Sequence, residues 1–277
     1  MDELFITVFS PNYNGSKFLP EAIESILNQT FTNFEYIIID DASTDNSWEI
    51  IQKYSKEDKR IKPYKNEVNL HVVKTRNLGF KYRSPKSKYF AILDSDDVAD
   101  LTRLEKQIMF LENNPDHGLV GSNEIIINED SEVIGQRIFP LTDKDIRKII
   151  TKYNPFIQSS ILLRNEVIDE LKTYDLNWKV CQDYNFWIRA GQNWKLANLE
   201  DKLARYRLSS SQIKNTNLKE TIKNTYKIQE EAIKKYGYKD SFANWIYRLL
   251  LKISSIIPGF TYMIYRFFII KKQNKKK

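Results

Sequence analysis

Cysteine is almost absent from this chain of 277 residues, which contains one, Cys181. A single thiol excludes an intramolecular disulfide framework and any metal site built from several thiolates, and it fits a reducing compartment. Histidine is equally scarce, with only His71 and His117, so a histidine metal ligand is not expected. The eight glycines include no GxG pair, which excludes the dinucleotide fingerprint of Rossmann-type oxidoreductases.

The N-terminal stretch MDELFITVFS begins with acidic residues and continues into a strand-like run, so no signal peptide is expected. Hydrophobic residues make up 42% of the chain and charged residues 29%. These proportions are typical of a soluble globular protein, and the length suits one large domain with or without appendages.

The net charge of +7 comes from the C-terminal end of the chain. Residues 241–277 contain eight Lys or Arg and no Asp or Glu, which leaves 35 basic and 36 acidic residues elsewhere. A nucleic-acid-binding body would carry its own basic face, so nucleic acid is not an expected partner. The same tail is rich in apolar residues, and Pro258 and Arg266 make a membrane-spanning helix marginal. Its composition favours a peripheral position on an anionic membrane surface, and the alternative is a helical hairpin packed on the body.

The first hundred residues alternate strand-like and helix-like segments, which predicts βαβ units and a mostly parallel sheet flanked by helices. Ser43 or Thr44 is expected to cap the second helix, which runs through Trp48, Ile51 and Tyr54. The predicted strands are 4–10, 34–39, 61–64 and 89–93, and the other predicted helices are 21–27, 71–82 and 101–113.

Beyond Gly118 the pattern changes, and the expected elements are strands at 119–128, 133–139 and 159–163, a helix at 183–190, an extended segment at 194–208 and a surface helix at 218–236. No clean linker interrupts residues 1–210, which we therefore expect to form one domain. Residues 211–277 are expected to form a helical extension that ends in the basic, apolar tail.

Polar clusters follow three of the predicted strands: SPNYNG at 10–15, DDASTD at 40–45 and DSDD at 94–97. Parallel strands bring their carboxyl ends to one edge of a sheet, so the three clusters are expected to form one site. The acidic group in DSDD suits a hard divalent cation, Mg²⁺ or Mn²⁺, which would relieve the repulsion between its carboxylates. Taken singly, the clusters are also explained by helix capping and turns.

Three further side chains suit a nucleotide ligand. Arg76, on the intervening helix, is a candidate for bidentate hydrogen bonds to phosphates. An aspartate at the second strand end could accept hydrogen bonds from a base or a ribose, and Tyr13 offers a ring for stacking.

At this point the chain resembles the family 2 glycosyltransferases. The stretches ITVFSPNYNGSKFLPEAIESILNQTFTNFEYIIIDDASTDNS and TRNLGFKYRSPKSKYFAILDSDD are similar to that family's nucleotide-binding half and to the segment that ends in its DxD motif. NPFIQSSILLRN and QDYNFWIRA are similar to its acceptor-side segments, so the resemblance covers about residues 4–210. It implies a GT-A fold with a nucleotide-sugar-binding half at 1–115 and an acceptor half at 116–210.

The resemblance also implies inverting transfer from a nucleotide-diphosphate sugar, with UDP as the expected nucleotide, to a saccharide acceptor. Asp183 is implied as the catalytic base that takes the proton of the acceptor hydroxyl. The implied acceptor is lipid-linked, as in synthesis of bacterial surface polysaccharide at the cytoplasmic face of the membrane. The implied metal ligands are Asp94, Asp96 and Asp97, and the implied nucleotide-sugar-binding residues are Pro11, Tyr13, Asp41, Arg76, Asp94 and Ser95.

Three positions depart from the family pattern. Gln182 stands where Glu is frequent, Gln158 where His is frequent, and Ser209 where a His near the metal or phosphates is frequent. The acidic pair before the catalytic helix is therefore reduced to Asp183.

Two other functions are compatible with parts of the sequence. FAILDSDDV fits the nucleophile motif of haloacid-dehalogenase-type phosphatases, with Asp94 as nucleophile and Asp96 as acid/base. That fold normally begins with this strand, however, whereas here three βα units precede it, and no convincing downstream acidic motif is found. A non-catalytic membrane-surface protein with a degenerate transferase body is the second alternative, which the intact acidic cluster and Asp183 argue against.

Overall fold

The computed structural model describes residues 5–209 and 218–256. Within these residues, nine strands join one mixed sheet. They are β1 (Ile6–Asn12), β2 (Phe34–Asp40), β3 (Ile61–Lys65), β4 (Tyr89–Ile92), β5 (Val98–Ala99), β6 (His117–Ile127), β7 (Val133–Arg137), β8 (Leu162–Arg164) and β9 (Lys195–Arg207). Their order is β3-β2-β1-β4-β8-β6-β9-β5, and β7 pairs with the later part of β6.

The described helices cover both faces of this sheet and continue beyond it. They are α1 (Leu19–Leu27), α2 (Ser47–Glu57), α3 (Val72–Tyr82), α4 (Arg103–Asn113), α5 (Asp143–Ile149), α6 (Asn165–Leu171), α7 (Gln182–Ala190), α8 (Leu218–Lys234) and α9 (Phe242–Ile256). A short 3₁₀ helix, Gln158–Ser160, precedes β8.

The first four long strands are parallel, as predicted: β1 pairs in parallel with β2 and β4, and β2 with β3. The register sets Asn12 beside Asp40, so the carboxyl ends of β1 and β2 meet at one edge. The sheet then changes direction, because β8 is antiparallel to β4 and to β6. The strand order itself reverses between β1 and β4, because β2 and β3 lie on one side of β1 and β4 on the other, and open α/β sheets bind their ligands at such a point.

Alternation along the strands produces one apolar core on each side of the sheet. In β2, Tyr36 and Ile38 pack toward α1, α2 and α4, whereas Ile37 and Ile39 pack toward α3 and α7. Helix α1 shows why these residues fold as they do: Leu19, Ala22, Ile23 and Ile26 are buried at helical spacing, and Pro20 occupies the first turn, where no amide donor is needed.

Several local predictions were wrong. Neither Ser43 nor Thr44 caps α2, which begins at Ser47; the Ser43 hydroxyl donates to Asp40 instead, at 2.5 Å. The strand predicted at 159–163 is a 3₁₀ turn followed by β8, because Ser160 donates to the Ile157 carbonyl through both its amide and its hydroxyl. Helices α5 and α6 were missed, since seven residues are too few to show a helical period.

The C-terminal extension contains a helical pair that contacts the body. Helix α8 buries Ile222, Ile228 and Ala232, and α9 packs against α8. No helix in the described ranges 5–209 and 218–256 is long and apolar enough to cross a bilayer. The expected domain boundary near 210 and the tail from 257 onward lie outside the described residues.

Helix α3 packs so closely on β1 that Gly79 leaves no room for a side chain. A Cβ added there would lie 2.7 Å from the buried ring of Phe9. We therefore expect Gly79→Ala to lower the free energy of unfolding by about 1–3 kcal/mol through overpacking. Helix propensity alone would favour alanine by about 1 kcal/mol. Chemical denaturation measures the sign, and a stabilised variant would contradict this packing.

Candidate active site

The ends of β1 and β2 are joined by hydrogen bonds between their polar residues. The Asn12 side-chain amide donates to Asp40 at 3.0 Å, and the Asp41 amide donates to the Asn12 carbonyl at 2.8 Å. Asp40 is fully buried and also accepts from the Ser43 amide at 3.1 Å. The first aspartate of the DDAS sequence is therefore a structural residue that holds two strand ends together.

Asp41 faces the loop after β3 and lies beside a cavity. Its Oδ1 atom accepts from the Asn66 side chain at 2.7 Å and from the Leu70 amide at 2.9 Å. A cavity of about 410 Å³ opens next to it, lined by Ala42, Ser43, Lys65, Asn66 and Glu67. Asp41 is itself buried and adjoins the cavity through two of the lining residues, its sequence neighbour Ala42 and its hydrogen-bond partner Asn66.

The loop that follows β1 has an unusual backbone and an exposed ring. Asn14 and Ala42, on neighbouring loops, adopt positive φ angles of 52° and 61°. Such conformations are costly for residues other than glycine and are concentrated at functional sites. Tyr13 is 49% exposed, and Pro11 is half-buried at the strand end. The ring predicted to stack on a base is thus accessible at the correct edge of the sheet.

The DSDD segment follows β4 at the same edge. Asp94 accepts a hydrogen bond from the Arg76 guanidinium at 2.6 Å, and this pair is largely buried on the arginine side. Burial alone would lower the pKa of Arg76, but Asp94, Tyr174 and Asp183 together raise it above its usual value. Arg76 is therefore a fixed cation among negative or polar groups. The structure brings the predicted phosphate ligand to the acidic cluster.

Asp97 points inward from this segment and is buried. Its carboxylate accepts from the Ser159 hydroxyl and, at 2.8 Å, from the Arg207 amide. Burial raises the pKa of Asp97 well above its usual value, and the carboxylates of Asp96 and Asp94 raise it further. The carboxylate of Asp97 is thus directed to protein hydrogen-bond donors, Ser159 and Arg207.

Asp96 and Ser95 form the half-buried tip of the segment. The Asp96 carbonyl accepts from the Arg207 side chain at 2.8 Å. A Cβ added at Gly15 would lie 3.2 Å from the Ser95 hydroxyl, so the loop after β1 closely approaches this tip. The glycine permits the two loops that flank the site to meet.

The oxygen donors suit a divalent cation, but not a cage made of protein alone. In the parts of the chain that the structure describes, no three His, Cys, Asp or Glu side chains converge as a metal-binding group. Asp94 and Asp96 nevertheless present carboxylates at the open edge, and Mg²⁺ is usually held by one or two carboxylates together with substrate phosphates. The residues fit a cation bound in this way, and the role of Asp97 as a third ligand stays a prediction.

A buried arginine that the sequence did not predict holds the end of β4, next to the acidic segment. Arg103 on α4 is fully buried and donates to the carbonyls of Ile92 and Ile161, both at 2.9 Å. Burial lowers the pKa of Arg103 to about 9, and nearby Asp97 opposes that shift. An arginine in an amphipathic helix is typically a surface residue, so the sequence did not indicate that Arg103 would be buried.

The predicted base, Asp183, lies in the first turn of α7 and is buried. Its Oδ2 atom accepts from the Asn154 side chain at 2.9 Å. The helix begins after Cys181, whose φ of 63° turns the chain sharply into the first turn. The carboxylate is thus held by one hydrogen bond and by the position of the helix end, where the dipole favours negative charge.

Tyr174 links the base to the acidic cluster and was also missed. Its hydroxyl accepts from the Gln158 side chain at 2.8 Å, and its ring stacks on Phe80 at 4.9 Å between centroids. Burial raises its pKa, and charge interactions join the phenol to Arg76, Asp183 and Asp94. Tyr174 lies in a loop without periodicity, so only the structure shows that it stands between the donor and acceptor sides.

The sheet and its flanking helices form a GT-A fold, which solved structures of other proteins share. The structure of S. aureus TarS with UDP-GlcNAc has a TM-score of 0.67 to this chain at 18% identity, covering 91% of this chain and 72% of that one. The mannosyltransferase PcManGT of Pyrobaculum calidifontis, in complex with GDP-Man and Mn²⁺, has a TM-score of 0.63 at 12% identity, covering 97% and 81%. At these identities the likeness concerns the fold.

Sequence comparison supplies the family. The model for glycosyl transferase family 2 matches residues 7–172, and the chain belongs to that family. An uncharacterised glycosyltransferase of Haemophilus influenzae is 33% identical over 83% of this chain and 74% of its own length. UDP-Glc:alpha-D-GlcNAc-diphosphoundecaprenol beta-1,3-glucosyltransferase WfgD of Escherichia coli is 31% identical over 79% and 83%. The expected fold and enzyme class are thereby confirmed.

Ser159 bridges the two ends of the acidic segment, because its hydroxyl donates to Asp97 and accepts from the Asp94 amide at 3.1 Å. We expect Ser159→Ala to lower kcat for glycosyl transfer by about tenfold or more, since small displacements of reacting groups are costly. The adjacent Ser160, whose hydroxyl contacts only backbone groups, provides the matched control. Ser160→Ala should lower stability by about 1–3 kcal/mol and leave kcat unchanged. Equal kcat values for the two variants would contradict this role.

Proposed function

We propose that this enzyme transfers a sugar from a UDP-sugar to a hydroxyl of a lipid-linked saccharide, with inversion at the anomeric carbon. The observation that carries the proposal is the grouping around Arg76. Arg76 forms an ion pair with Asp94 at 2.6 Å, and Asp183 is near enough to help raise the pKa of Arg76. A donor phosphate and an acceptor hydroxyl can therefore meet within one small volume.

The donor pocket is proposed at the carboxyl ends of β1 and β2. Asp41 would accept a hydrogen bond from the base beside the 410 Å³ cavity, with Tyr13 and Pro11 against the base. Ser95 and Asp94 would bind the sugar nucleotide at the diphosphate end, where Arg76 supplies positive charge. The choice of UDP is supported by the names of WfgD, a UDP-Glc enzyme, and of TarS, solved with UDP-GlcNAc.

The proposed reaction is one in-line displacement. Asp183 takes the proton of the acceptor hydroxyl while the acceptor oxygen forms its bond to the anomeric carbon. The bond between that carbon and the diphosphate oxygen breaks, and the electron pair leaves with UDP. Arg76 stabilises the charge that develops on the leaving group, because a buried guanidinium interacts strongly with phosphate oxygens.

Asp96 and Asp94 would hold a divalent cation, Mn²⁺ or Mg²⁺, which would supply further charge neutralisation for the diphosphate. Asp97 would act mainly by positioning the segment, since its carboxylate accepts from Ser159 and Arg207.

The acceptor is proposed to be a lipid-linked saccharide at the cytoplasmic face of the membrane, in synthesis of bacterial surface polysaccharide. The name of WfgD specifies a diphosphoundecaprenol-linked acceptor, and WbnJ of Escherichia coli, 33% identical over 73% of this chain and 79% of its own length, is an O-antigen biosynthesis glycosyltransferase. The basic, apolar composition of residues 241–277 supports a membrane surface as the place of reaction.

The two alternative functions lose their support. The chain belongs to a glycosyltransferase family, which argues against a phosphatase in which Asp94 would be a phosphorylated nucleophile. Asp94 is instead paired with Arg76, and its strand is the fourth along the chain. The family also makes the chain an enzyme, so a purely non-catalytic role is set aside.

The role of Asp183 is tested by Asp183→Asn, which keeps the shape and removes the base. We expect UDP release in the presence of acceptor to fall by about 10²–10⁴-fold. Affinity for the UDP-sugar should be retained, as measured by calorimetry. Asp130→Asn, at an exposed turn, is the matched control and should retain full activity. Turnover of Asp183→Asn at the wild-type rate would overturn the assignment.

The role of the acidic segment is tested by UDP release from a panel of UDP-sugars with Mn²⁺ or with EDTA. We expect EDTA to abolish turnover, and Asp96→Ala to reduce it by about 10²-fold or more, because the leaving diphosphate loses its charge neutralisation. Turnover that does not depend on metal would refute the cation site, and an unimpaired Asp96→Ala would refute its ligand.

A further inference from the structure

Helix α9 exposes its large apolar side chains to solvent. Phe242 is 76% exposed, Trp245 48%, Leu249 40% and Ile246 39%. Their spacing of i, i+3, i+4 and i+7 places them on one face of the helix. The rings of Phe242 and Trp245 also stack on each other, with centroids 5.7 Å apart. The four residues form a continuous strip, which we call the outer face of α9.

The opposite side of the same helix buries polar and charged residues. Asn244 and Arg248 are each only 4% exposed. The Asn244 side chain donates to the Lys148 carbonyl and to the Thr151 hydroxyl, both at 2.9 Å. This is the reverse of a soluble surface helix, which turns its apolar stripe inward and its charges outward.

A buried ion pair keeps the helix in this orientation. Arg248 makes two hydrogen bonds to the Asp240 carboxylate, at 2.7 and 2.5 Å, and lies 3.5 Å from Glu230 on α8. The Arg248 guanidinium holds the pKa of Asp240 below its usual value. Rotating α9 to bury its apolar strip would break the hydrogen bonds between Arg248 and Asp240. The outward position of the strip is therefore fixed by the protein.

Lysines lie near α9 and follow it in the chain. Lys152 and Lys252 lie near the rings of Tyr247 and Tyr226, at 5.6 and 5.7 Å, and Lys252 is exposed. The chain continues beyond α9 for 21 residues, 257–277, which contain six Lys or Arg and no Asp or Glu. Apolar side chains bordered by lysines match a bilayer interface that carries anionic headgroups.

We propose that the outer face of α9 docks on an anionic lipid surface, with its aromatic rings at the boundary between headgroups and acyl chains. This inference rests on the proposed function, since a lipid-linked acceptor requires the enzyme to reach a membrane. A second copy of the chain is a weaker occupant. Four side chains offer far less than the roughly 800 Å² per partner of a stable interface. The lysines near α9 in two copies would also repel each other.

The test is flotation of the full chain with vesicles of phosphatidylcholine and phosphatidylglycerol in a 3:1 ratio. Phe242→Ser/Trp245→Ser should weaken vesicle binding by about tenfold or more, because two large side chains no longer leave water. Met109→Ser/Ile134→Ser removes two apolar residues elsewhere on the surface, 60% and 47% exposed, and should bind as the wild type does. Vesicles of phosphatidylcholine alone should bind all forms weakly.

Three results would overturn the proposal. They are equal vesicle binding by the two double variants, equal binding to neutral and anionic vesicles, and a wild-type dimer that only Phe242→Ser/Trp245→Ser dissociates. UDP release with a water-soluble acceptor is measured in parallel and should be unchanged in both double variants. Loss of vesicle binding with normal UDP release would support docking alone, whereas vesicle binding without turnover of any UDP-sugar would remove the proposed function and leave the docking face.

Discussion

The site depends on keeping several carboxylates together at one edge of the sheet. Asp94, Asp96 and Asp97 repel one another, and this repulsion contributes to the raised pKa of Asp97. The protein opposes it with the Ser159 hydroxyl, the Arg207 amide and the Arg76 guanidinium. Leaving a buried group without its hydrogen-bond partner costs about 1–3 kcal/mol, and more when the group is charged. The acidic segment therefore keeps its geometry through hydrogen bonds and an ion pair with other parts of the domain.

The groups that hold this segment come from several parts of the chain. Arg207 ends β9 and Ser159 precedes β8, so elements from the later part of the chain determine the geometry of the acidic segment, while Arg103 of α4 holds the end of β4. Tyr174 continues the connection toward Asp183 through its interactions with Arg76 and Gln158. Gln158 stands where the family often has histidine, and its contact with Tyr174 gives it a structural partner in this enzyme.

The positions of Asp41, Asp94 and Arg76 in the fold could be predicted from the sequence because local patterns determine them. Buried strands followed by polar residues placed Asp41 and Asp94 at one edge, and helical periodicity placed Arg76 on α3. Arg103, Arg207 and Tyr174 could not be predicted, since their roles depend on contacts between residues far apart in the chain. Arg103 meets Ile161 across 58 positions and Arg207 meets Asp97 across 110. The inverted polarity of α9 likewise depends on Asp240 and Glu230, which the pattern of the helix itself does not reveal.

The central claim is that the acidic segment binds a divalent cation together with the donor diphosphate. Titration with Mn²⁺, followed by the electron paramagnetic resonance signal of the free ion, tests it directly with and without UDP. Two carboxylates alone form a weak site, and phosphate oxygens complete it. We therefore expect one Mn²⁺ per chain to bind about tenfold or more tightly when UDP is present. Binding of UDP with the same affinity in Mn²⁺ and in EDTA would contradict the account.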